Sequence, residues 1–109
     1  MNEEEILARQ RLVTVAQAML DGDLSFLEGA AQVLAMRGVL SRLGDRDPDL
    51  DVFVVIRSET DHLPLKEQRS QWSAEALARL EPEFKQSEEW ASSFAPQACK
   101  NLIERFKTC

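Results

Sequence analysis

Asp51-Val-Phe-Val-Val-Ile-Arg-Ser-Glu-Thr-Asp-His-Leu-Pro64 is the stretch whose reading decides the fold. It opens with the most concentrated apolar run of the chain, Val52 to Ile56, and then carries the only histidine. Four of those five apolar residues are β-branched, which favours extended backbone. The residues just ahead argue the other way. Asp47 is a good helix cap, and Pro48 suits the first helical position, where a missing N–H costs nothing. No second strand-like run offers a pairing partner, and a lone strand leaves its backbone groups unpaired. Residues 48–57 are therefore read as a short buried helix, with strand pairing across a homodimer as the alternative.

Upstream, Ile6, Leu12, Val13, Ala16, Met19 and Leu20 recur at helical spacing, which predicts a core-facing helix over 3–21. Glu3, Glu4 and Glu5 fill its first turn, where the helix dipole favours negative charge. Gly22 can take the left-handed conformation that closes it. Ser25 and Glu28 have the spacing of a capping box. A second helix follows, with Gly29, Ala30 and Ala31 allowing another helix to approach closely. The short connector predicts an antiparallel hairpin of these two helices. Gly38 is expected to kink or end the second helix, and Gly44 to end any continuation.

Downstream, residues 58–72 lack periodicity and are read as an ordered loop or one irregular helical turn. Ser73 caps a third long helix, whose Leu77, Leu80, Phe84, Ala91 and Phe94 form one helical stripe. That stripe places Phe84 in the core. Pro82 is expected to kink this helix or mark the start of its main part. A last helix spans 96–107, with Ala98, Cys99, Leu102, Ile103 and Phe106 inward. The expected fold is all-α: one domain over 1–109, a single compact bundle of four or five helices. Residues 44–72 form an irregular central segment between two helical hairpins.

Length and charge narrow the function. The 109 residues suffice for one core. A net charge of −6, with 13 basic residues scattered among 19 acidic ones, argues against nucleic acid and anionic membranes as partners. The N-terminus has no signal-peptide pattern, and the longest apolar run falls far short of the roughly 20 residues that span a bilayer. Cys99 and Cys109 belong to no metal or redox motif, so a reduced, cytoplasmic protein is expected.

The candidate functional surface is Ser58, Glu59, Asp61 and His62, followed by Lys66, Glu67 and Arg69. Carboxylates and an imidazole so close together suit a metal ligand set or a general base. Their spacing matches no zinc motif, and capping of nearby backbone accounts for the same residues. The aspartates at 45, 47, 49 and 51 invite comparison with a calcium loop. Counting from Asp45 puts Leu50 at the turn glycine and Ile56 at the bidentate glutamate; counting from Asp47 puts Val52 and Ser58 there. No nucleophile elbow or Gly-rich phosphate loop is present. No catalytic residue, metal or cofactor is therefore expected. Trp72 and Trp90 are read as core or half-buried, with interface anchoring as the alternative.

Ile56-Arg-Ser-Glu-Thr-Asp-His-Leu-Pro-Leu65 and Trp72-Ser-Ala-Glu-Ala-Leu-Ala78 resemble blocks of a family of small uncharacterised bacterial helical proteins. In that family a helical hairpin precedes a Ser-Glu-Thr-Asp-like block and a tryptophan-capped helix follows it. The resemblance covers roughly residues 5–106 and implies a helical fold without an assigned activity. In size and charge the chain also resembles immunity proteins. The expected function is a non-enzymatic cytoplasmic domain that binds a partner protein, in the manner of an immunity or inhibitor protein. A small enzyme or metal-dependent module using Glu59, Asp61 and His62 is the first alternative. A structural homodimer through Val52–Ile56 or Trp90 is the second.

Overall fold

A computed structural model of the chain describes residues 3–36, 38 and 47–107. They form five α-helices, α1 (Glu3–Asp21), α2 (Phe26–Ala35), α3 (Pro48–Thr60), α4 (Ala74–Ser92) and α5 (Ala95–Phe106), with a 3₁₀ helix at Lys66–Gln71 before α4. No strand occurs among the described residues. The architecture is all-α. The turn expected at Gly44, the Asp45 end of the aspartate run and Cys109 lie outside the described residues.

The decisive stretch is helical. Asp47 accepts hydrogen bonds from the backbone N–H groups of Asp49 (3.0 Å) and Leu50 (3.3 Å), and Pro48 occupies the first turn. The β-branched run then packs inward. Phe53 and Ile56 are completely buried, Val52 and Val54 half-buried, and only Val55 exposed. Burial outweighs the weak local preference for strand. This corrects the expectation of an irregular segment over 44–72: α3 is a central core helix, and residues 58–60 are its last turn.

Helix α1 has the predicted bounds, with its buried face turned slightly from the expected stripe. Glu5, Ala8, Leu12, Val15, Ala16 and Met19 are buried, while Ile6, Val13 and Leu20 lie at the margin. Gly22 closes the helix at a φ of 82°, and the N–H of Asp23 reaches back to the Ala18 carbonyl at 3.0 Å. A Cβ on Gly29 would lie 2.1 Å from the Met19 sulfur, so α2 approaches α1 at a point where only hydrogen fits. Helix α2 ends at Ala35, ahead of Gly38, which is exposed.

Helices α1 and α2 pack on each other, Gly29 against Met19, but α1 packs chiefly on α5 and α2 chiefly on α3, contacts that the hairpin expectation did not include. Arg9 of α1 stacks 5.2 Å from the ring of Phe106, and it also pairs with Glu5 at 3.2 Å. Arg105 of α5 grips the start of α3, reaching Asp47 at 2.6 Å and Asp49 at 2.8 Å. Asn101 adds a bond to Asp49 at 2.9 Å.

Helix α4 runs unbroken through Pro82. The proline deprives the Ala78 carbonyl of its partner, but both residues are exposed, so water can take that bond. Of the predicted stripe only Ala91 is buried; Leu77, Leu80, Phe84 and Phe94 are half-buried. Trp72 and Trp90 are exposed, with Trp90 edge-on to Phe94 at 4.9 Å.

Candidate binding cleft

Two carboxylates fix the region around the first half of α4. Ser25 caps α2 as predicted, accepting from Glu28 N–H at 3.1 Å. The reciprocal half of the capping box is absent, because the Glu28 carboxylate reaches the backbone N–H of Lys66 at 3.0 Å, the entrance of the 3₁₀ helix. Glu88, from α4, accepts the N–H of Phe26 and, at 3.4 Å, that of Leu27. Each carboxylate satisfies free N–H groups at a helix start and meets the positive end of its dipole. Between them they tie α4, α2 and the 3₁₀ helix together.

The turn after α3 is tied down separately. The Leu63 N–H donates to the Thr60 carbonyl at 3.0 Å, and Leu63 and Pro64 are buried. The His62 ring Nε2 lies 2.5 Å from Glu83 on α4, while its Nδ1 is 4.0 Å from Asp61.

These anchors leave a cleft of about 380 Å³ between the end of α3, the start of α2 and α4. Leu27, Leu63, Leu65, Leu77 and Phe84 supply apolar walls, and the cleft is about the size of a small-ligand pocket. Three cations line it: Arg57, Arg69 and Lys85. Arg69 stacks 4.5 Å from the Phe84 ring and donates from Nε to the Pro64 carbonyl at 3.5 Å. A shallower hollow beside it shares Glu28 and Leu65 and runs past Ala31 and Ala35 along α2.

The residues singled out in the sequence are spread around this cleft. Ser58 and Glu59 lie on the exposed last turn of α3, and neither lines the cleft. Asp61 is the exposed C-cap residue of α3. Thr60 is buried, and its hydroxyl donates to the Ile56 carbonyl at 2.6 Å. The Thr60 hydroxyl thus donates to the backbone instead of accepting from an N–H as a helix cap does. His62 pairs with Glu83, a residue the sequence reading passed over, and not with Glu59. No group of three metal-ligating side chains occurs among the described residues. No described helix is long and apolar enough to cross a membrane.

The sequence reading missed the crossing roles of Glu28 and Glu88. It also missed Arg57 and Lys85 as members of one site. One signal was available: Arg57 stands alone beside the apolar run, and Lys85 follows Phe84 directly.

Fold and cleft together describe a small helical domain with a polar-rimmed apolar groove. The chain belongs to the family described as protein of unknown function (DUF2489), whose model matches residues 2–102. No curated protein and no solved structure matches the chain.

Proposed function

We propose that the chain is a non-enzymatic binding domain that receives a segment of a partner protein along the first half of α4. One observation carries this reading. Helix α4 has the apolar stripe of a core helix, yet its only buried residue is Ala91, near its end. Leu77, Leu80 and Phe84 remain half-covered, and Leu77 and Phe84 border an open cleft. A half-covered helical stripe beside a groove is the surface that takes a partner's amphipathic segment. The partner is met in the cytoplasm. Only size and charge liken the chain to immunity proteins.

Photo-crosslinking tests the reading. A photoreactive residue at Leu65, in a tagged chain expressed in cells of its own host, should yield one discrete protein adduct. Leu77→Glu should abolish that adduct while the circular dichroism spectrum stays helical. An adduct unchanged by Leu77→Glu, or none above background, rules the proposal out.

A further inference from the structure

We infer that the segment entering the cleft is acidic, with Asp or Glu side chains alternating with apolar residues. This rests on the partner-binding reading above and names the partner's chemistry. The formal charges lining the cleft are balanced, because Glu28, Glu81 and Glu88 face Arg57, Arg69 and Lys85. The hydrogen-bonding capacity left over is not. Glu88 is committed to the N–H groups of Phe26 and Leu27, and Glu28 to that of Lys66. Among the described residues, Arg57 and Lys85 have no ion-pair or hydrogen-bond partner. Arg69 uses only its Nε, leaving both terminal nitrogens available, and its stacking on Phe84 holds the guanidinium against the apolar wall.

Three cations therefore face one uncommitted carboxylate, Glu81, in a chain whose net charge is −6. Other arginines are engaged internally: Arg105 by Asp47 and Asp49, Arg79 by Glu75, Arg9 by Glu5. The groove thus presents unpaired cationic donors in excess of free carboxylate acceptors. A partner's carboxylates would meet them through charge-assisted bonds, while its apolar side chains cover Leu77 and Phe84.

A displayed random-peptide library panned against the intact chain separates the possibilities. The expected result is enrichment of sequences mixing Asp or Glu with Leu, Ile or Phe. Their affinity should fall about tenfold in a chain carrying Arg57→Gln with Lys85→Gln, and severalfold for the unaltered chain as ionic strength rises. Arg57→Lys should retain most of the binding. Binders that are neutral or basic, or indifferent to salt and to both substitutions, would overturn the acidic assignment and leave partner binding standing. Recovery of no peptide sensitive to Leu77→Glu would remove both. Two parallel measurements exclude other occupants. Decanoate binding in the cleft without any peptide binding, or a sedimentation profile showing a dimer that buries α4, also overturns the inference.

Discussion

The carboxylate of Glu88, on α4, caps the backbone N–H of Phe26, which lies 62 residues earlier at the start of α2. A helix normally finds its cap within its own sequence. Here the second N–H acceptor comes from another helix, so the cap doubles as a tertiary tie. Glu88→Ala should lower stability by about 1–2 kcal/mol, the range of a lost cap with a charged acceptor. Glu88→Gln, which keeps an acceptor oxygen, should cost about half as much. Denaturant melts with unchanged m-values would confirm both; equal losses would show that charge alone matters.

Asp47 is buried, caps α3 and is held by Arg105. Asp47→Ala should cost about 2–3 kcal/mol, and a double-mutant cycle with Arg105→Met should show coupling. A strictly additive double mutant would mean that the two residues act independently.

The same pair sets the acid limit. The Arg105 hydrogen bond holds the Asp47 carboxyl below its ordinary value of 3.8; burial opposes this, and the Leu50 and Asp49 N–H groups assist it. A carboxylate whose folded value is depressed contributes stability in full above its unfolded value and loses it as pH falls through the folded one. The stability gap between the native chain and Asp47→Asn should therefore be constant near neutrality and shrink below pH 3.8. A gap that persists undiminished at about pH 2 would contradict the linkage.

Phe53 and Phe84 offer a direct comparison. Phe53 is fully enclosed, so Phe53→Ala should cost about 3–5 kcal/mol. Phe84 borders the cleft and is half-buried, so Phe84→Ala should cost clearly less, about 1–2 kcal/mol. Similar losses at the two sites would place Phe84 in the core after all.

His62 joins the turn after α3 to Glu83, whereas Asp61 is exposed beside it. Both members of the His62–Glu83 pair are about half exposed, so His62→Ala should cost no more than about 1 kcal/mol. Asp61→Ala should cost less still. Thermal melts showing a larger loss for Asp61 would reverse the assignment of which side chain holds the turn.

Local signals made much of the fold legible. Asp47-Pro48, Ser25, Ser73 and Gly22 act through their immediate neighbours, and each performs the expected task. The all-α class followed from the absence of a second strand-like run. What stayed hidden depended on distant residues. Nothing local assigns Glu28 to Lys66 rather than to its own helix, or makes α5 the main partner of α1. The stripe on α4 was read correctly as a stripe. Periodicity reports that residues share a face, but it is silent on whether another helix covers that face. The candidate site was legible only in part, because Arg57, Arg69 and Lys85 meet through folding and not through spacing.

The pairing of α1 with α5 has a consequence for how the chain comes off the ribosome. Leu12, Ala16 and Met19 emerge well before the helix that covers much of their face, which follows α2, α3 and α4 and ends at Phe106. Until then the growing chain carries an apolar helix with its main partner missing, the kind of surface that chaperones hold and that aggregates when crowded. Folding should therefore wait for α5 to emerge, and a ribosome stalled before α5 should display a protease-sensitive chain.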